Sequence, residues 1–89
     1  MTSSILVVED DLNMQELIVE FLEDEGYMAQ GASSSKDALS LASRFKFDLV
    51  ITDVVMPGLD GPGLIRRVRA KFPTMKVIFI SGYAEDSFR

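Results

Sequence analysis

Two short apolar segments, each followed by acidic residues, constrain this chain more than any other feature. Residues 5–8 run directly into three consecutive acids, and residues 49–51 are followed by an acid at Asp53. Short apolar runs of this kind are typical of strands that are buried on both faces of a sheet. Because ligands bind outside the carboxyl ends of parallel strands, these acids are placed for chemistry.

The spacing of apolar residues predicts alternating strands and helices along the whole chain. Helices are predicted over 12–25, 36–45 and 63–72, and strands over 5–8, 27–31, 47–52 and 77–80. The inward stripe of the first helix is expected to contain Met14, Leu17, Ile18, Phe21 and Leu22. Such alternation favours a parallel sheet with helices on both faces. The order 2-1-3-4 would bring the two acidic strand ends together, which gives a flavodoxin-like, doubly wound α/β domain spanning residues 1–89.

The acidic strand ends predict a cation site. Glu9, Asp10 and Asp53 would share one small space, where three carboxylates repel one another unless a cation lies among them. Carboxylate, carbonyl and water oxygens suit Mg²⁺. A structural interpretation stays open for single residues, because Asp10 or Asp11 could cap the next helix and Asp53 could simply end its strand.

The composition excludes several classes of function. The 89 residues contain no Cys and no His, so disulfides, thiolate metal sites and imidazole catalysis are ruled out. No apolar run approaches the ~20 residues of a membrane span, and no leader precedes residue 5, which predicts a cytoplasmic protein without membrane insertion. The net charge is −5, with all of the excess in residues 1–35, so direct binding to nucleic acid is not expected.

Three segments together resemble the receiver domain of bacterial two-component response regulators. They are LVVEDD at 6–11, DLVITDVVMPGLDG at 48–61 and VIFISG at 77–82. They occur in the family's order and spacing, and the resemblance covers the whole chain. Residues 80–89 are most similar to the receiver domain of cell-cycle hybrid histidine kinases.

The resemblance implies a role for each site residue. Asp53 would accept a phosphoryl group from the phosphohistidine of a histidine kinase or a histidine phosphotransfer protein. Asp10, Asp53 and the Val55 carbonyl would hold Mg²⁺, with Glu9 acting through water or as a weaker ligand. The Ser81 hydroxyl would bond a phosphoryl oxygen, although a Ser-Gly pair at a strand end is by itself only a turn.

The resemblance also implies an output and limits the catalysis. Phosphorylation would change contacts with a downstream effector protein. The chain would not be a conventional enzyme, since its chemistry would be confined to Mg²⁺-dependent self-phosphorylation and autodephosphorylation. Two alternatives remain, namely a docking module that cannot be phosphorylated and a phosphatase with an aspartyl-phosphate intermediate. The phosphatase is disfavoured because Val55 stands where such enzymes usually carry a second acid.

Receiver domains continue through a fifth strand, which bears a Lys, and a last helix. The sequence ends at Arg89 without these segments, so the domain is expected to be truncated at its C-terminal end. The predicted fourth strand would then present an apolar edge, through which a homodimer is possible.

Overall fold

A computed structural model describes residues 3–53, 55–56 and 59–80. Along this part of the chain the strands are β1 (Ser4–Val8), β2 (Met28–Ala32), β3 (Leu49–Asp53), β4 (Val55–Met56), β5 (Leu59–Asp60) and β6 (Lys76–Ile80). The helices are α1 (Leu12–Asp24), α2 (Ser35–Arg44) and α3 (Gly61–Lys71). The predicted helices and long strands are therefore found, with boundaries that differ by one or two residues.

Four parallel strands form the main sheet in the order β2-β1-β3-β6. This is the predicted flavodoxin-like order 2-1-3-4, with β6 as the fourth strand. The register pairs Val8 with Thr52, so β1 and β3 end at the same edge of the sheet. The point between these two strands is where the chain changes direction across the sheet, and it lies at the predicted acidic site.

A two-stranded antiparallel ribbon, β4 with β5, was not predicted. It pairs Val55 with Asp60 and Met56 with Leu59, directly after β3. Each strand has two residues, which is too short to show the alternating pattern that identifies a strand in sequence. The Pro57–Gly58 pair between them lies outside the described residues.

The core lies on both faces of the sheet, and the two faces are unequal. One face packs the β1 and β3 residues Leu6, Val8 and Val50 against α2 and α3. The other face is smaller and packs Ile5 and Val7 against α1. This two-sided burial is what the continuous apolar runs predicted.

The ends of α1 follow standard capping chemistry. The Asp11 carboxylate accepts hydrogen bonds from the backbone N–H groups of Asn13 and Met14, at 3.0 and 3.2 Å. Gly26, with φ 96°, follows the last turn in the left-handed conformation that glycine adopts without strain. The sequence left open whether Asp10 or Asp11 caps this helix, and the structure shows that Asp11 does.

The predicted inward stripe of α1 is wrong for three of its five residues. Leu22 is buried and Ile18 packs against the core, whereas Leu17 and Phe21 are 61% and 62% exposed and Met14 is also exposed. The reason is that α1 is the one described helix on this face of the sheet. It therefore covers only part of the apolar surface, and the far side of its stripe faces outward.

The outer edge of β6 is open among the described residues, since β6 pairs with β3 alone. Ile78 and Phe79 point to opposite faces of the sheet and are 48% and 46% exposed. This agrees with the apolar edge that the sequence predicted. Within the described part of the chain, no helix has the length and apolar character needed to cross a membrane.

Candidate functional site

The site lies where β1 and β3 end side by side. Asp53 is the last residue of β3, and Glu9 follows β1. Both carboxylates are buried, with 5% of Glu9 and 4% of Asp53 exposed, and their side chains are linked by a hydrogen bond. The sequence prediction that acids from the two strands meet is confirmed for this pair.

Burial raises the pKa of the Glu9 carboxyl from 4.5 to about 7. A hydrogen bond from the Asp11 backbone N–H, at 3.1 Å, opposes this rise because it stabilises the charged form. The hydrogen bond with Asp53, the negative charge of Asp53 and a hydrogen bond with Asp10 add to the rise in pKa. The Glu9 carboxyl therefore keeps its proton up to about neutral pH, and a cation could take the place of that proton.

The three consecutive acids have three different surroundings. Glu9 is buried against Asp53, whereas Asp10 is exposed and hydrogen-bonds to Glu9 at the rim of the site. Asp11 is used as the cap of α1. Glu9 and Asp10 thus lie at the site, and Asp11 serves the helix.

The donor set fits a magnesium ion better than a cation that needs a complete protein cage. Among the described residues, no group of three or more acidic side chains is arranged to hold a metal ion by itself. Mg²⁺ keeps several waters and is commonly held by one or two carboxylates together with phosphate oxygens. The two buried carboxylates of Glu9 and Asp53 match that requirement. Val55, whose carbonyl is a predicted metal ligand, lies in β4, two residues after Asp53.

The predicted hydroxyl, Ser81, lies outside the described residues. Its predecessor Ile80 is paired with Asp53 across β6 and β3. A second hydroxyl that the sequence did not single out, Thr52, is fully buried and donates a hydrogen bond to the Asp53 carbonyl at 3.3 Å.

Gln15 is a further residue of the site that the sequence analysis missed. Its side-chain Nε2 donates a hydrogen bond to the Glu9 backbone carbonyl at 2.8 Å. A single glutamine on an amphipathic helix gives no signal in sequence, because exposed positions are often polar.

A hollow of about 1010 Å³ in the described part of the chain lies away from these acids. It is lined by residues from the opposite ends of β3 and β6, including Phe45, Asp48, Phe72 and Lys76, and by neither Glu9 nor Asp53. We assign the site from the chemistry of the buried carboxylates, which this hollow does not contain.

Comparison with known proteins gives a consistent set of similarities. The family model described as "Response regulator receiver domain" matches residues 5–89. The sensor kinase CckA of Brucella abortus (strain 2308) is 40% identical over 89 residues, which cover 98% of this chain. The chain spans 9% of the length of that kinase.

Two solved structures are similar over most of the chain. The receiver domain of the hybrid histidine kinase CckA has a TM-score of 0.83 at 38% identity, covering 91% of this chain and 77% of that one. The response regulator TrrA from Thermotoga maritima, in complex with Mg(2+)-BeF, has a TM-score of 0.85 at 36% identity. That alignment covers 94% of this chain and 73% of TrrA.

Proposed function

The chain belongs to the response regulator receiver domain family, and on this premise we propose that it accepts a phosphoryl group on Asp53 in a two-component phosphorelay. The observation that carries the proposal is the buried Asp53 carboxylate at the end of β3, in contact with Glu9. The donor is the phosphohistidine of a histidine kinase or a histidine phosphotransfer protein. The phosphorylated chain then changes its contact with a downstream effector protein, and these steps take place in the cytoplasm.

The reaction transfers a phosphoryl group from a histidine nitrogen of the donor to a carboxylate oxygen of Asp53. A carboxylate oxygen of Asp53 attacks the phosphorus, an O–P bond forms, and the P–N bond to the donor histidine breaks. The electron pair of that bond stays on the imidazole nitrogen of the donor. Water then hydrolyses the acyl phosphate, which releases inorganic phosphate and returns Asp53 to its carboxylate form.

The surroundings of Asp53 suit this transfer. Burial excludes water that would compete with the phosphoryl donor. Mg²⁺ would be held by carboxylate oxygens of Asp53, Asp10 and Glu9 and by the carbonyl oxygen of Val55. When bound, Mg²⁺ offsets the negative charge of both the carboxylate and the phosphoryl oxygens.

The proposal gives Ser81 a role in sensing the phosphoryl group. Ile80 is paired with Asp53 in the sheet, and Ser81 is the next residue along the chain. We propose that its hydroxyl donates a hydrogen bond to a phosphoryl oxygen. A Ser81→Ala variant would then still accept the phosphoryl group but would transmit it poorly to a partner.

Phosphorylation by acetyl phosphate tests the proposal without requiring the cognate kinase. Incubation with acetyl phosphate and Mg²⁺ should add one phosphoryl group, which intact-mass spectrometry detects. Asp53→Asn should abolish this addition, whereas the matched control Asp37→Asn, at an exposed site on α2, should leave it unchanged. Labelling of the Asp53→Asn variant would indicate another nucleophile. An unlabelled wild type would favour the docking module.

The metal site has its own test. Mg²⁺ should raise the melting temperature of the wild type, because a ligand that binds only the folded state stabilises it by mass action. Asp10→Asn should remove most of this increase. An unchanged response in the variant would contradict the assignment of Asp10 as a ligand.

A further inference from the structure

The side chain of Gln15 connects α1 to the end of β1. Its Nε2 group donates hydrogen bonds to the Glu9 carbonyl at 2.8 Å and to the Ser33 hydroxyl at 3.2 Å. On the other side, the Glu9 backbone N–H donates to the Ala32 carbonyl at 2.9 Å. The main chain of Glu9 is therefore held from both directions, immediately after the last ladder position of β1.

Gly31 leaves the space that the Gln15 carboxamide occupies. A Cβ atom at Gly31 would collide with the Gln15 side chain. Among the described glycines, Gly26 is the one with a positive φ, so the backbone of Gly31 does not itself require glycine. The need for glycine at this position in β2 comes from the carboxamide that lies over it.

The held main chain also sets the direction of the Glu9 side chain. Its Oε1 accepts a hydrogen bond from the Asp11 backbone N–H at 3.1 Å, and the carboxyl meets Asp53. A rotation of the Glu9 peptide would move both Glu9 and Asp10 relative to Asp53.

We infer that Gln15 is a positioning residue that, in the space left by Gly31, fixes the Glu9 main chain and thereby sets the affinity of the acidic site for Mg²⁺. This inference rests on the proposed function, because it assumes that Glu9, Asp10 and Asp53 act on the metal. Residues that orient metal ligands by hydrogen bonding commonly change metal affinity by about ten-fold or more when they are replaced.

A substitution that keeps the volume of Gln15 separates positioning from packing. Gln15→Met fills the same space and cannot donate a hydrogen bond to the Glu9 carbonyl. We expect it to weaken Mg²⁺ binding by roughly ten-fold, measured by amide chemical-shift titration, with a melting temperature close to that of the wild type. The matched control is Ser43→Ala, which removes a hydrogen bond within α2 on an exposed side chain. Wild-type affinity in Gln15→Met would overturn the inference.

Gly31→Ala provides a second variant that leaves the chemistry of Gln15 intact. The new methyl group displaces the carboxamide, so Mg²⁺ should again bind roughly ten-fold more weakly. In a Gln15→Ala background the same methyl group has free space, and it should cause little further loss. Additive losses in the double variant would show that the two residues act separately and would overturn the inference.

A measurement on the metal-free protein distinguishes failure of this inference from failure of the proposed function. Loss of the Gln15 hydrogen bond should shift the Glu9 carbonyl ¹³C resonance and the carboxyl resonances of Glu9 and Asp53. If the wild type takes up no Mg²⁺, the proposed function fails, and these shifts alone decide whether Gln15 positions the carboxylates. If the resonances are unchanged in Gln15→Met, the inference is wrong whether or not Mg²⁺ binds.

Discussion

Replacement of Glu9 by Gln should stabilise the metal-free protein, and the gain should grow with pH. The folded state raises the pKa of Glu9 from 4.5 to about 7. Between these values the folded protein retains a proton that the unfolded chain has released. The free energy of unfolding therefore falls as pH rises through this window, and above about pH 7 the full cost of the buried charge is present.

The size of the effect follows from the same pKa values. Each pKa step corresponds to about 1.4 kcal/mol, so the rise from 4.5 to about 7 corresponds to roughly 3 kcal/mol at pH 8. The linkage relation leaves about 1.4 kcal/mol of this cost at pH 5.5. Glu9→Gln removes the charge and keeps an oxygen that can accept the hydrogen bond from Asp11. Its advantage over the wild type should therefore grow by roughly 2 kcal/mol across this range.

Urea unfolding at pH 5.5, 7 and 8, with a chelator present, measures this difference. Glu16→Gln serves as the control, because it makes the same substitution at an exposed site on α1. Its effect at each pH gives the baseline against which Glu9→Gln is compared. A gain in Glu9→Gln that is the same at each pH, or a loss of stability at pH 8, would refute the argument that Glu9 is ionised at a cost.

Three further predictions concern other features of the chain. Mg²⁺ affinity should increase by roughly ten-fold from pH 6 to pH 8, since the metal must displace the Glu9 proton; equal affinity at both pH values, by calorimetry, would contradict this. Gly26→Ala should lower the free energy of unfolding by about 1 kcal/mol, because its φ of 96° is strained for alanine while no atom crowds the new methyl group; an unchanged urea midpoint would argue against it. The 89-residue chain should self-associate through the edge of β6, and Ile78→Lys should reduce this in sedimentation experiments; a wild type that is monomeric at all concentrations would rule it out.

The sheet order and the meeting of the acids were predictable because both depend on residues that repeat a simple pattern. Residues 5–8 and 49–51 are continuously apolar, which identifies strands buried on both faces, and the acids that follow mark one edge of the sheet. The strand order then follows, because the two strands with acidic ends must be neighbours for their acids to meet.

The outward side of α1 was not predictable from its own sequence. Leu17 and Phe21 have the spacing of a buried stripe, yet burial depends on which elements lie opposite. Periodicity measures the width of an apolar surface, and it cannot show how much of that surface a neighbour covers.

The roles of Gln15 and Gly31 were also hidden, for a different reason. Their interaction joins α1 to β2 across a gap in sequence, and neither residue type is unusual at its position. The division of labour among Glu9, Asp10 and Asp11 was left open because each could have been a cap or a ligand. The roles of the three acids are distinguished only by where α1 begins, since that position makes Asp11 the cap.

The central place of β1 has a consequence for the order in which the molecule can fold. β1 is made first, but both of its partners come later in the chain, and β3 is the more distant of the two. Pairing with β2 can occur while β3 is still being synthesised, whereas docking of β3 requires a long loop to close. That docking step also brings Asp53 against Glu9, so the event that adds β3 to the sheet is opposed by carboxylate repulsion. Refolding at alkaline pH should therefore be slow at this step, and a divalent cation should accelerate it.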